Sequence, residues 1–408
     1  MHPGTGLSAS RDSAALTGAS IVNGLAAYLA VVVASRGLSD VGFAAFSVSW
    51  SLWALGVAFL VFPIQHWVIW RSTQDGGTGV VRSSLPRILA IMAVLVIVMF
   101  AAGNSNRLFP SGEGWAWILA LIGASSGVTG LGRGLLAARG RYDAVAWVIG
   151  LENVLRLGAI TAGVVFFEAS AQWSVLGLSV GPLALVPFAA QLRFSPAASP
   201  QKVSVLSELG ALAGATALAQ VMVQFPPAAA EWLSEPPARV AAIFATFSLG
   251  RAPLLVMLAV SARLTAPLAR LLSGSATRVR TLLTKLAVVV LLSGFATGCL
   301  GYLVGPDIVA WFFGPGRALG SMETAMIATG LLLATASVVV SLALMTKRAN
   351  RLAAGFWIVA VVVAFLLAIL GIGVPAAFFL GEILATALSG TALWYLVSRS
   401  HTSSSATP

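Results

Sequence analysis

Charge is what this sequence has least of. Only 9% of its 408 residues are Asp, Glu, Lys or Arg, while 58% are hydrophobic. Soluble domains carry about 25% charged residues, so a soluble fold is excluded, in line with the mean hydropathy of +0.94. Histidine is nearly as scarce. Of His2, His66 and His401, two lie in the terminal tails, which leaves no basis for a histidine-held metal or an acyltransferase centre. The lone cysteine, Cys299, permits neither an intrachain disulfide nor a thiolate cluster. A Walker A loop is missing. The expected outer loops are short and hold no acidic cluster of the kind a glycosyltransferase metal site needs. These absences predict no catalytic residue, metal or cofactor, and a chain that is not an enzyme.

Apolar runs, in contrast, recur from end to end. Each is long enough to cross a hydrocarbon core of about 30 Å. A membrane β-barrel would show short alternating segments instead. The expected fold is therefore an all-α polytopic membrane protein, with about twelve transmembrane helices. The spans read as 15–35, 42–70, 86–103, 114–136, 143–167, 170–192, 206–228, 240–268, 281–304, 320–345, 352–371 and 374–397. The first run follows a polar segment without a convincing cleavage site, so it is expected to be a retained span rather than a removed signal peptide.

The basic residues decide the orientation. With the N-terminus inside, eighteen of the 24 Lys and Arg count to the cytoplasmic side, including Arg133 at the inner end of the fourth span. Only Arg36, Arg107, Arg239 and Arg317 face outward, and Arg156 and Arg251 fall within spans. This bias places both termini in the cytoplasm. It also accounts for the net charge of +11 without nucleic acid, the partner being anionic inner-leaflet lipid.

The chain also repeats itself weakly. "AAFSVSW" at 44–50 resembles "ATFSLGR" at 245–251, and each lies early in a long span followed by proline: Pro63 in one, Pro253 and Pro267 in the other. With twelve spans, this predicts two six-helix bundles inserted in the same direction. They occupy 15–192 and 206–397, joined by a linker at 193–205, with tails at 1–14 and 398–408.

Against this apolar background a few polar residues stand out. Glu152 and Arg156 lie about 13 and 19 Å into the fifth span, at 1.5 Å per residue. An ionised side chain there costs about 2.5–3.5 kcal/mol on insertion scales. Their i, i+4 spacing puts both on one helical face. Two readings stay open: an intrahelical pair that fixes packing, or a face that lines an aqueous pathway together with Asn153. Arg251 lies mid-way along the eighth span between Gly250 and Pro253, with no acid within a turn. A cavity wall, or a distant partner such as Glu382, would accommodate it. Gln220 and Gln224 share a face of the seventh span, as interhelical glue or as ligand contacts. Glu382 in the last span could pair with an arginine or bind a coupling ion. Gln65, His66 and Asn23 read as packing groups.

Three stretches carry a family resemblance. "RGLLAARGRYDAVAWVIGLENVLRL" (133–157), "SRGLSDVGFAAFSVSWSL" (35–52) and "FSLGRAPLLVMLAVSARLTAPLARL" (247–271) are similar to segments of the multidrug/oligosaccharidyl-lipid/polysaccharide (MOP) exporter superfamily, most of all its Wzx-like polysaccharide flippase branch. The resemblance implies two bundles around a central cavity that opens alternately to either face of a bacterial plasma membrane. It implies a cargo, a polyprenyl-pyrophosphate oligosaccharide, whose phosphates meet cavity arginines: Arg156 and Arg251 first, Arg71 and Arg36 at the mouths. Glycan polymerases or glycosyltransferases would be its working partners. The competing expectation is an ion-coupled multidrug exporter of the same fold, with Glu382 and Glu152 as coupling groups. A membrane enzyme of glycan assembly is disfavoured by the short outer loops, and a non-transporting scaffold would merely pair its charges.

Overall fold

In hydrocarbon every backbone N–H and C=O must find its partner inside the segment, so apolar runs of this length fold as helices. The computed structural model describes residues 5–74, 77–110, 114–194, 204–251, 254, 276–346 and 349–399. Among these it is helical throughout, with no strand. Ten helices are long and apolar enough to cross a membrane, and they fall at ten of the twelve expected spans.

In the first half of the chain these are α1 (Thr5–Gly37), α2 (Asp40–Gln74), α3 (Gly79–Gly103), α4 (Trp115–Ala138), α5 (Tyr142–Phe166) and α6 (Ala171–Gln191). The expected seventh span is α7 (Val205–Gln224), which passes at Phe225 into the short α8 (Pro226–Trp232). The expected eighth begins as α9 (Pro237–Gly250). Its remainder lies outside the described residues, with Pro253, Arg263, Pro267 and Arg270, as do most of the 193–205 linker and both ends of the chain. Then follow α10 (Ala276–Leu303), a short helix α11 (Gly305–Phe313) absent from the expected spans, α12 (Ser321–Thr346), α13 (Asn350–Ile369) and α14 (Val374–Arg399).

Proline and serine set the local geometry. Ser39 caps α2 by accepting the Gly42 N–H at 3.2 Å. Pro63 lacks the N–H that would close the preceding turn, and α2 widens into a π turn at Val57–Val61 just before it. That turn packs against α4, where a Cβ on Gly130 would lie 2.9 Å from the Val61 Cα. The glycines of "SSGVTGLGRG" in α4 are therefore packing residues, small enough for backbones to approach. Pro182 and Pro187 tighten most of α6 into 3-10 turns. By contrast α3 and α10 expose rows of large apolar side chains, among them Val94, Ile97, Leu291 and Phe295, as lipid-facing helices should.

The chain forms two compact units, Met1–Ala213 and Gly214–Pro408. Within the first, α1 packs along α5, α3 along α4, and α6 against both α4 and α5. Within the second, α12 packs between α10 and α14, α13 lies along α14, and α8 against α9. The division falls inside α7, beyond the 193–205 stretch at which the sequence suggests a linker. Its physical reason is visible: Val205 and Leu209 are buried in the same apolar cluster as Trp67, Ile64 and Val80.

Candidate functional site

The first unit gathers its charge around Glu152. This carboxylate accepts hydrogen bonds from Arg156, one turn further along α5, and from Arg133 on α4. Arg156 also donates from Nε to the Leu178 carbonyl at 3.2 Å and from Nη1 to Asn153 Oδ1 at 3.3 Å. Its guanidinium lies 4.5 Å from the centre of the Trp53 ring on α2. Asn153 in turn donates to Asn23 on α1. A Cβ added at Gly181 of α6 would sit 2.7 Å from Arg156 Nη2 and 3.0 Å from Glu152 Oε1, so only glycine lets α6 close over the pair.

Glu152 and Arg156 are each 3% exposed and Arg133 is 7% exposed, so the group is sealed within the unit. The expected i, i+4 pair is present, and Arg133 joins it as a third member. Arg133, counted with the inner basic residues, lies inside α4 and is buried. The reason is the carboxylate on α5, which holds it in the helical packing.

Arg71 sits in the last turn of α2. There Glu208, in the first turn of α7, receives Arg71 through Nε at 3.0 Å and through Nη2, and the Trp67 indole N–H at 2.7 Å. Bidentate pairing of this kind is geometrically specific. Arg71 is thus committed to a carboxylate in this state. Arg36 is exposed in the last turn of α1. His66 engages the Phe62 carbonyl through Nδ1 at 2.7 Å, a helix-surface contact.

The second unit holds a different arrangement. Arg251 follows Gly250 as the C-cap of α9. Its Nη1 donates to Gln224 Oε1 of α7, and its Nη2 to Ser248 Oγ at 2.5 Å. Gln224 passes the network on to Gln220, Nε2 to Oε1 at 3.2 Å. Phe244 lies under the guanidinium at 5.2 Å. Among the described residues no ion pair includes Arg251, so the suggested partnership with Glu382 does not form. A charge held by neutral amides and a hydroxyl keeps its field.

Glu382 lies on α14 in a small pocket whose walls include Met222, Phe247, Gly330, Pro375 and Phe378. It is 4% exposed, and neither carboxylate oxygen has a hydrogen-bond partner among the described residues.

Comparison with known proteins follows from this architecture. No family model matches the sequence, and no curated protein is significantly similar to it. Solved structures are similar along nearly the whole chain. An inward-facing multidrug resistance MATE family transporter of the MOP superfamily superposes with a TM-score of 0.64 at 14% identity, covering 95% of this chain and 97% of the other. A variant of the Vibrio cholerae MATE transporter VcmN gives 0.57 at 14% identity, covering 97% and 98%. The chain has the MATE fold. A MOP superfamily transporter from Pyrococcus furiosus, described by the reverse polarity of its binding pocket and a different suggested function, gives 0.56 at 14% identity, covering 97% of each chain.

On this MATE fold the sequence singles out the residues that cluster in each unit, but not all of their partners. Arg133, Thr129 and Trp53 in the first unit and Ser248 in the second were missed. Arg133 reads as one more inner-side cation, and its neighbour Glu152 lies 19 residues away in sequence. The flanking Gly132 and Gly134 were the available signal, since both mark a helix packed closely on its neighbours. Glu208 lies 137 residues from Arg71, beyond the reach of any local sequence pattern.

Proposed function

We propose that this chain is a transporter that moves an anionic lipid-linked glycan, a polyprenyl-pyrophosphate oligosaccharide, from the cytoplasmic to the outer face of a bacterial plasma membrane by alternating access. The observation that carries the reading is Arg251: buried, polarised by Gln224 and Ser248, and engaged with no carboxylate among the described residues. A buried cation held only by neutral groups gains most from an anion that can enter and leave. Arginine suits that cargo because its planar fork meets two phosphate oxygens at once. The lipid tail of such a cargo can stay in hydrocarbon, so the protein need shelter only the polar head.

The remaining candidates take supporting parts. Gln220 and Gln224 hold the Arg251 fork in plane. Arg71 at the inner end, once parted from Glu208, and Arg36 at the outer end would guide the head in and out. Glu152, Asn153 and Arg156 brace the first unit against which the movement works. Anionic inner-leaflet lipid and the enzymes that build or polymerise the glycan are the partners this reading implies, and both termini lie in the cytoplasm. The MATE fold supports it, and the Pyrococcus furiosus transporter, with its reversed pocket polarity, indicates that this fold accommodates binding surfaces of different charge.

A second reading rests on Glu382. A buried, unpartnered carboxylate needs a counter-ion when ionised, and a proton or small cation arriving there would couple an ion gradient to multidrug export. Reconstitution separates the two. In proteoliposomes, inward-to-outward movement of a fluorescent polyprenyl-pyrophosphate saccharide should fall at least about tenfold in Arg251→Ala, the loss of one charge-assisted contact, and partly recover in Arg251→Lys. Cationic dye transport abolished by Glu382→Gln, with no saccharide movement by wild type, would favour the multidrug reading.

A further inference from the structure

Where the last turn of α2 meets the first turn of α7, three N–H groups converge on one carboxylate. Arg71 Nε at 3.0 Å and the Trp67 indole at 2.7 Å donate to one oxygen of Glu208, and Arg71 Nη2 donates to the other. All three nitrogens are donors only, so together they select an anion. A guanidinium fork takes two oxygens of a phosphate as readily as two of a carboxylate. Trp67 is fully buried, packed in the apolar cluster with Ile64 and Val80. Its N–H therefore stays aimed at the same point whichever oxygen fills it.

Glu208 holds this place loosely. The side chains of Arg71 and Glu208 are 15% and 19% exposed, against 4% each for Arg156 and Glu152. Water reaches the first pair and is kept from the second. An ion pair wetted in this way contributes little net stability, so an anion arriving from outside can exchange with it. The Arg71 guanidinium also lies 4.7 Å from the centre of the Trp70 ring, which is 40% exposed. Tryptophans at span ends sit at the headgroup level of a membrane, which is where lipid-borne phosphates lie.

We infer that Arg71 and Trp67 form a binding site for a phosphate or pyrophosphate group, which Glu208 occupies as an internal competitor until such a group displaces it. The use of this site as a first contact for cargo rests on the function proposed above. While Glu208 is in place the fork is closed, and the apparent affinity falls to the fraction of chains in which it is open. Displacement leaves the first turn of α7 to the apolar contacts of Val205 and Leu209. Glu208 is thus a control on entry, in addition to anchoring the helix.

The test uses the full chain in detergent at constant ionic strength, titrated calorimetrically with inorganic pyrophosphate. Glu208→Gln removes the competing charge at the same size. It should bind at least about tenfold tighter than wild type, as expected for one hydrogen bond to an ion. Glu208→Asp, with its charge on a shorter arm, should show a smaller gain, and serves if the amide variant does not fold. Adding Arg71→Lys or Trp67→Phe to Glu208→Gln should erase most of the gain. Competition then names the source of the group. Displacement of pyrophosphate by polyprenyl pyrophosphate and not by phosphatidylglycerol assigns the site to cargo. Displacement by both assigns it to any lipid phosphate, and by neither to a soluble one. Equal affinity in wild type and the Glu208 variants would overturn the inference, as would a gain that survives both Arg71→Lys and Trp67→Phe. A gain in Glu208→Gln, beside a wild type that moves no lipid-linked saccharide, would overturn the cargo reading and leave the phosphate site standing.

Discussion

Glu152 accepts two arginines in a space where neither could be left alone. Its value lies in the penalty of its removal, because breaking a buried pair leaves an uncompensated charge, at about 3–5 kcal/mol. Glu152→Gln is therefore expected to lower the thermal midpoint and the yield of folded protein. In an Arg133→Met background the same change should cost markedly less, since only one guanidinium then loses its partner. Equal losses in both backgrounds would mean that Arg133 does not share the carboxylate. At Arg251 the expectation is reversed. Its partners are neutral, so Arg251→Gln orphans no buried counter-charge and should lower the thermal midpoint less than Glu152→Gln does while removing transport. A large loss of stability with transport per folded molecule preserved would make it a packing residue. In sequence Arg156 already shows an acid one turn before it on the same helix, whereas Arg251 shows none. Arg133, the third member of the Glu152 group, is hidden in sequence because its carboxylate lies on the facing helix.

At the scale of elements, hydropathy locates the spans because each apolar run exceeds the bilayer core regardless of its neighbours. Where a span departs from a plain helix, tertiary contact is the cause. The π turn in α2 follows from Pro63, legible in sequence, but its place against Gly130 of α4 is not. There a side chain would collide with backbone, which cannot rotate away. Gly130→Val should accordingly destabilise the first unit by about 1–3 kcal/mol, measured by thermal unfolding, whereas Gly150→Ala, which meets nothing within 4 Å, should be neutral or slightly stabilising. A neutral Gly130→Val would place α2 and α4 further apart than described. The start of α7 is a similar case. Its join to the first unit through Glu208, Arg71 and Trp67 spans 137 and 141 residues of sequence, too far for any local pattern to reveal.

At the scale of the whole molecule, the asymmetry of basic residues predicts which face is cytoplasmic. With Cys299 replaced by serine, a membrane-impermeant maleimide added to intact cells should label Asn106→Cys, in the loop after α3, and leave Thr73→Cys, at the other end of the membrane, unlabelled until the cells are opened. The opposite pattern would invert the topology and with it the direction of transport. The fold itself is shared with MATE transporters at 14% identity, so it says how the helices are arranged and leaves the cargo to the chemistry of Arg251. The most direct measurement is therefore made in cells depleted of this protein, assaying lipid-linked glycan precursors on each membrane face. The account predicts that a polyprenyl-pyrophosphate oligosaccharide accumulates on the inner face and is cleared by wild type but not by Arg251→Ala at equal protein level. Unchanged precursors accompanied by altered drug sensitivity would contradict it.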